Sequence, residues 1–471
     1  MARVNGNLYA LLSSRFPADR SRPAFLLADG SAIDYGALED GVGRLAALLQ
    51  AEGVFPGDRV ACQTAKSPEA VMLYLAVLKV GAVFLPLNTA YGEAETDYFR
   101  ADAEPKLFVR DAVALAAQAS GLPPLEATHQ ADPDDLAAIV YTSGTTGRSK
   151  GAMLTHGNLA ANALALSEAW GFGPADVLLH ALPIFHVHGL FVALHCAFLS
   201  GAPMIWLPKF DEDQVLAALP RATVMMGVPT FYARLLADPR LDRHITRGVR
   251  LFISGSAPLL ESAFAAFEAR TGHRILERYG MSEAAIITSN PLDGERLAGS
   301  VGYPLPGVDL RLSDAGVVEI KGPSVTRGYW RAPHKTAETF TPDGYFITGD
   351  IGRLDLDGRL WLSGRTSDLI ISGGLNVYPK EIEMVLDELP GVVESAVIGA
   401  PHPDFGEAVT AVIVGAGAEA DIIAAARAHL AAFKVPKRVF FVDDLPRNAM
   451  GKVEKKALRA RYADAFKAPE H

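Results

Sequence analysis

Cysteine is scarce in this sequence. Two in 471 residues, Cys62 and Cys196, lie far apart, so neither a disulfide framework nor a zinc-ligand spacing can be assembled. Long apolar runs are missing too. Segments such as 71–78 and 82–87 are too short to span a bilayer. The opening Met1-Ala2-Arg3-Val4-Asn5-Gly6 carries no apolar stretch of signal-peptide length. A cytoplasmic, reducing location without a membrane partner is expected. Positive charge is not in excess. Lys+Arg is 44 against 54 Asp+Glu, a formal charge of −10, which argues against a general nucleic-acid binder. A local basic pocket for an anionic substrate stays open. No repeat of fixed period is present, and the alanine-rich stretches 160–169 and 424–432 are helix formers rather than low complexity.

What is present is ordinary globular composition, 49% hydrophobic and 21% charged, which excludes a disordered or fibrous chain. Short apolar runs alternate with helical patterns through the first part. Residues 59–62, 81–85, 138–141, 204–207, 223–228 and 251–253 read as buried strands, and 68–80 as a helix. That alternation predicts parallel sheets covered on both faces, with ligands at the strand C-terminal ends. From about residue 301 turn residues become dense, as in Pro306-Gly307, Gly322-Pro323 and Asp357-Gly358, and predict an antiparallel β unit. Beyond Gly364-Arg365 the pattern shifts again. Helices at 380–389 and 420–432 and strands at 392–398 and 408–414 suggest a small α+β domain.

The strongest local signal is Tyr141-Thr142-Ser143-Gly144-Thr145-Thr146-Gly147-Arg148-Ser149-Lys150-Gly151. It follows an apolar strand and gathers hydroxyls, glycines and a lysine into eleven residues. Glycines let backbone N–H groups approach phosphate oxygens, hydroxyls donate further bonds and the lysine supplies charge. A Gly/Ser/Thr surface loop would need no apolar lead-in. The spacing differs from the common P-loop, because two residues separate Gly147 from Lys150 and no Ser/Thr follows the lysine.

This loop resembles the phosphate loop of the adenylate-forming superfamily, which includes acyl-CoA synthetases, peptide-synthetase adenylation domains and firefly luciferase. Further motifs follow in that family's order over nearly the whole chain. They are Ser254-Gly255-Ser256-Ala257-Pro258, Glu277-Arg278-Tyr279-Gly280-Met281-Ser282-Glu283, Gly328-Tyr329-Trp330 and Tyr345-Phe346-Ile347-Thr348-Gly349-Asp350. After them come Gly364-Arg365-Thr366-Ser367-Asp368, Ser372-Gly373-Gly374 and Pro446-Arg447-Asn448-Ala449-Met450-Gly451-Lys452. The resemblance implies an α/β fold. A large N-terminal adenylation domain, 1–366, would combine parallel α/β sheets with a β-rich unit. A small mobile α+β C-terminal domain, 367–471, would carry the catalytic lysine and pivot near Ser367. Ser149 and Ser282 depart from the family's usual proline and threonine.

The implied chemistry has two steps. A carboxylate attacks the α-phosphate of ATP, giving an acyl-adenylate and pyrophosphate, and a thiol then displaces AMP. The first step brings two anions together, so cations and a metal matter more than a base. By resemblance, Thr142, Ser143, Gly144, Thr145, Thr146, Gly147 and Lys150 hold the β- and γ-phosphates. Gly255, Ser256, Ala257, Glu277, Arg278, Tyr279 and Gly280 form the adenine site, with Tyr279 stacked on the base. Ser282 contacts the α-phosphate, and Glu283 with Thr142 holds Mg²⁺. Asp350 accepts from the ribose hydroxyls and Arg365 approaches the ribose. Lys452 bridges carboxylate and α-phosphate, although by itself it reads as a solvated lysine beside Lys455 and Lys456. Gly373 and Gly374 admit the pantetheine of CoA. CoA, rather than a carrier protein, is the expected thiol, since no carrier domain follows.

The acid is read from a few side chains. Phe185-His186-Val187-His188-Gly189 lines the acyl pocket in the family; His186 is expected at its mouth, gating CoA, and His188 in a structural role. Metal binding by this pair has no third ligand to support it. A fatty-acid pocket has no use for a buried cation. Arg234 and Arg278 are therefore candidates for reading a second carboxylate, either of which could instead be a structural ion-pair member. Arg234 is the first choice because Arg278 falls in the adenine motif. Ser254, Ser256, His186 and Met281 complete the expected acid site. Residues 287–296, 185–190, 147–153, 373–383 and 443–452 closely resemble the malonyl-CoA synthetases. The expected substrates are malonate, ATP and CoA, with methylmalonate as a second acid. The alternatives are a ligase for a short-chain or aromatic monocarboxylate and a stand-alone adenylation domain. The oligomeric expectation is a monomer or weak dimer.

Overall fold

The structure, a computed structural model, describes residues 5–142, 149–447 and 453–467. The chain forms two compact units. One holds Met1–Leu310, Ile320–Ile347 and Leu356–Leu360; the other holds Arg311–Glu319, Thr348–Asp355 and Trp361–His471.

In chain order the strands of the first unit up to residue 304 are β1 (Pro23–Leu27), β2 (Ala32–Asp34), β3 (Arg59–Cys62), β4 (Val83–Pro86), β5 (Leu107–Val109), β6 (Leu136–Thr142) and β7 (Lys150–Thr155). They continue as β8 (Leu178–His180), β9 (Met204–Trp206), β10 (Val224–Gly227), β11 (Leu251–Ser254), β12 (Leu276–Met281), β13 (Ala285–Ser289) and β14 (Ser300–Pro304). The short apolar runs β4, β10 and β11 are buried at every position, as strands covered on both faces must be. One sheet runs β5-β3-β4-β6-β7, parallel through β6, with β7 antiparallel to β6. The other follows the path β14-β13-β12-β11-β10-β8-β9-β1-β2 and is parallel from β12 to β1. The expected fold class is the one found. The helix Pro68–Lys79 has Ser67 capping the Ala70 N–H and Pro68 in its first turn. Loops that carry motifs leave the C-terminal ends of β6, β8 and β11, where an open α/β sheet places its ligands.

The turn-rich segment forms β15 (Asp309–Leu312), β16 (Val317–Lys321), β17 (Phe346–Leu354) and β18 (Leu360–Arg365), each partly in the second unit. That unit continues with β19 (Ile370–Ser372), β20 (Leu375–Val377), β21 (Val392–His402), β22 (Gly406–Gly415) and β23 (Arg438–Val442). Strand β21 runs past the expected residue 398 because antiparallel pairing with β22 carries it to His402 opposite Gly406. The helix Glu419–Arg427 stops short of residue 432. Residues 427–429 and 431–432 are exposed, so no buried stripe holds them helical. Ile382, Leu386, Val397, Val409 and Ile413 pack the core of this unit. Cys62 and Cys196 are free and buried. Among the described residues no helix is long and apolar enough to cross a membrane.

Candidate active site

Thr142 ends β6 and pairs in register with Lys150, the first residue of β7. The strands thus hold the two ends of the glycine-hydroxyl loop side by side. Ser143, Gly144, Thr145, Thr146 and Gly147 lie outside the described residues. The Lys150 ammonium stands 5.3 Å from the centroid of the Tyr329 ring. The Tyr329 hydroxyl donates to Oε1 of Glu283 at 3.0 Å, and burial together with Glu283 raises its pKa. The expected phosphate lysine and the expected metal carboxylate therefore share one aromatic neighbour. Glu283 is buried. Among the described residues no group of three or more His, Cys, Asp or Glu side chains could hold a metal on its own. One buried carboxylate fits Mg²⁺, which typically takes one or two protein ligands and completes its shell with phosphates and water.

The ends of β11 and β12 form the next wall. They are parallel, with Ser254 opposite Glu277. Along β12 the pleat sends Glu277 and Tyr279 to one face and Arg278 to the other. Glu277 accepts the Leu259 N–H at 3.0 Å and thereby ties the loop after β11. Gly280 lies so close to Ala285 that a Cβ would overlap its carbonyl oxygen. Met281 pairs with Ala285, and both Met281 and Ser282 are half-buried, whereas Ala257 is exposed.

Arg278 is 4% exposed, and its Nε and Nη2 have no hydrogen-bond partner among the described residues. Burial pulls its pKa down to about 10, opposed by Tyr232 and Glu277, so it is still a cation at neutral pH. Its guanidinium occupies the space that a side chain at Gly255 would fill. Ser254 is fully buried at the end of β11, and its hydroxyl also lacks a partner among the described residues. Ser256 sits in left-handed backbone conformation, φ 73°, and its hydroxyl is 3.4 Å from Nδ1 of His188. Nε2 of His188 has no partner among the described residues. Burial, Arg278 and His186 together push the His188 imidazole well below its ordinary pKa, so it is neutral.

The sequence reading needs correction at two points here. Arg234, expected as the buried cation, lies on the helix Pro229–Ala237 with 63% of its side chain exposed, 3.7 Å from Glu212. Two residues of that helix turn fully inward, Leu235 and Tyr232, the latter with its hydroxyl donating to the Ile253 carbonyl at 2.6 Å. Of the two candidate arginines, the buried one is Arg278, against Gly255. His188, read as structural, belongs with Ser256 and Arg278. Nothing in the His-x-His pattern distinguishes His188 from His186, which is half-buried and accepts the Leu190 N–H on its carbonyl.

In the second unit Asp350 is 5% exposed and accepts Nε–H of Arg365 at 2.8 Å, while its own N–H donates to the Thr348 hydroxyl at 3.0 Å. Gly373 and Gly374 form the β19–β20 turn with φ of 58° and 78°, a conformation that favours glycine, and none of the described residues stands within 4 Å of where a Gly374 Cβ would be. Lys452 lies outside the described residues.

Two family models match. The one described as AMP-binding enzyme covers residues 14–330, and the one described as AMP-binding enzyme C-terminal domain covers 381–452. The crystal structure of ATP-bound MatB from Rhodopseudomonas palustris superposes with a TM-score of 0.94 at 51% identity, over 98% of this chain and 100% of that one. Among curated proteins, a malonate-CoA ligase from Arabidopsis thaliana is 35% identical over 92% of this chain and 85% of its own. A feruloyl-CoA synthase from Amycolatopsis sp is 37% identical over 92% and 94%. Overall likeness therefore spans small and aromatic acids.

Proposed function

This chain belongs to the AMP-binding enzymes and is an AMP-forming acid-thiol ligase that uses ATP and CoA, and we propose that its acid is malonate, joined to CoA through malonyl-adenylate. The observation that carries this reading is Arg278, a buried cation two of whose nitrogens have no hydrogen-bond partner among the described residues. An isolated buried charge is costly, and a carboxylate that met it would relieve that cost with charge-assisted hydrogen bonds. A monocarboxylate would leave the guanidinium stranded. The 51% identity to MatB and the Arabidopsis malonate-CoA ligase support the same acid.

In this reading one carboxylate of malonate lies against Arg278 and the neutral His188; Ser254, in register with Glu277, falls on the other face of the sheet. The charge it carries is offset there, so it adds little repulsion at the other end. The second carboxylate attacks the α-phosphate of ATP; the bond to pyrophosphate breaks and malonyl-adenylate forms. Lys150 and Thr142 take the phosphate side with 143–147, Tyr279 the base, Ser282 the α-phosphate, and Asp350 the ribose hydroxyls with Arg365 beside it. Glu283 and Thr142 would hold Mg²⁺, which would supply charge neutralisation for the departing pyrophosphate. Lys452 bridges the two anions as charge develops between them. The CoA thiolate then attacks the acyl carbon and AMP departs, with His186 at the pocket mouth and Gly373-Gly374 beside the thiol channel.

The test is CoA-dependent AMP formation over a panel of mono- and dicarboxylates that includes malonate, methylmalonate, butyrate and ferulate. Malonate is expected to give the highest kcat/KM. A preference for butyrate or ferulate overturns the assignment, and pyrophosphate release without thioester would point to a stand-alone adenylation domain.

A further inference from the structure

The loop between β3 and the helix Pro68–Lys79 carries a lysine that the site above does not use. Lys66 is half-buried as a residue, but its ammonium lies among buried groups. It stands 4.1 Å from the Trp206 ring centroid. It reaches the carbonyl oxygen of His180 at 2.8 Å, that of Leu207 at 2.6 Å, and Nδ1 of His180 at 2.9 Å. Among the described residues no carboxylate pairs with it, and burial alone holds its pKa well below that of an ordinary lysine. Nε2 of His180 in turn lies 3.0 Å from the carbonyl oxygen of Gly189.

The protons of this chain can be counted. Carbonyl oxygens only accept, so Nε2 of His180 must carry a hydrogen for Gly189. Between Nδ1 and Nζ there is then one proton. Either an ammonium donates to a neutral imidazole or an imidazolium donates to a neutral amine. Every contact is a donor–acceptor pair in both cases.

What the couple holds in place is the π-helical turn His188–Ala193. Such turns are rare, and they recur at functional sites. Gly189 packs so tightly on Pro183 that a Cβ would overlap its carbonyl oxygen. His180 grips the Gly189 carbonyl. The adjacent residue, His188, is the imidazole that approaches Ser256 and feels the charge of Arg278. Lys66 follows β3 of the five-stranded sheet, whereas His180 ends β8 and Leu207 follows β9 in the longer one. One lysine thus ties the ligand-bearing ends of both sheets.

We propose that Lys66 is a positioning residue for the acid: through His180 and the Gly189 carbonyl it sets where the π-helical turn presents His188 to Arg278. This rests on the reading of Arg278 as the anchor of the acid.

The experiment measures KM for the acid and for ATP separately, with whichever acid the wild type turns over fastest. Lys66→Met keeps the stem and removes the donors and the charge. It should raise the KM for the acid by about tenfold or more and leave the KM for ATP within about twofold. His180→Leu should do the same. His180→Gln retains an N–H for the Gly189 carbonyl and should restore part of the loss. Equal shifts in both KM values, no shift in either, or a His180→Gln variant as impaired as His180→Leu overturns the proposal. If Lys66→Met does not fold, the two His180 variants decide it. The reading of Arg278 is judged independently, from the malonate-to-butyrate ratio of Arg278→Ala. An unchanged ratio removes that reading whatever the acid-versus-ATP split shows.

Discussion

Gly255 and Arg278 occupy each other's space. A Cβ on residue 255 would fall on the guanidinium carbon and Nε of Arg278, closer than side chains pack. The absent side chain of one residue is the berth of the other. Gly255→Ala should therefore push the guanidinium out of place. We expect the kcat/KM for malonate to fall by about tenfold or more, with a smaller fall for butyrate. Steady-state kinetics on the two acids check this; an equal fall for both would assign Gly255 to the nucleotide alone.

Arg278→Ala removes the cation itself. Breaking a buried charge pair typically costs about 3–5 kcal/mol, which corresponds to a loss of roughly 100-fold or more in kcat/KM for malonate. Butyrate, which leaves the guanidinium stranded, should lose far less or gain. Arg278→Lys should fall between, since an ammonium cannot match the planar fork. Arg234→Ala should leave the malonate-to-butyrate ratio near the wild-type value, because Arg234 is solvent-exposed and weakly paired.

Tyr329→Phe deletes the hydroxyl that donates to Glu283. A net hydrogen bond to a charged group is worth about 1.5–3 kcal/mol. Less firmly oriented, Glu283 should hold its metal more weakly. The Mg²⁺ concentration for half-maximal rate is expected to rise by about threefold to tenfold, with the KM for malonate unchanged. A titration of Mg²⁺ at fixed ATP reads this directly.

Lys452→Ala should slow adenylation by roughly two orders of magnitude, about 3 kcal/mol of transition-state stabilisation. Thioester formation from supplied malonyl-adenylate should survive much better. Pyrophosphate release and CoA consumption, followed separately, distinguish the steps; equal loss in both would remove Lys452 from the first.

Asp387 links stability of the second unit to pH. Burial pushes its carboxyl up to about 6 from 3.8, outweighing Ser395 and Lys380, which act the other way. Between these values the folded state holds a proton that the unfolded state has lost, so stability falls as pH rises from about 4 to 6 and the cost stays constant above. Asp387→Asn removes that cost, about 2 kcal/mol after allowing for partial exposure. Urea unfolding should show the variant more stable at pH 8, by a margin that shrinks at pH 5 and disappears below pH 4.

Much was legible along the chain. Apolar runs such as 251–253 and 138–141 announced buried parallel strands, because a strand covered on both faces can carry no polar alternation. The glycine-hydroxyl loop, Glu283, Asp350 and Lys452 stood in an order that named the nucleotide chemistry, because each motif's role depends on local backbone and a few adjacent side chains. Which arginine is buried was not legible. Arg234 follows Tyr232 by two positions on a helix, so the two point in different directions, and only the packing of that helix against Phe252 and Phe267 turned the tyrosine inward. Arg278 alternates with Glu277 and Tyr279 along β12, which says that it faces away from them but not what lies there. That was decided by β11, twenty-odd residues earlier, whose last turn offers a glycine. The pleat and the helical period are covalent geometry and can be read from one segment. The partner that covers a face is chosen by the whole fold, and that choice makes one arginine a solvated surface charge and the other a buried cation short of an anion.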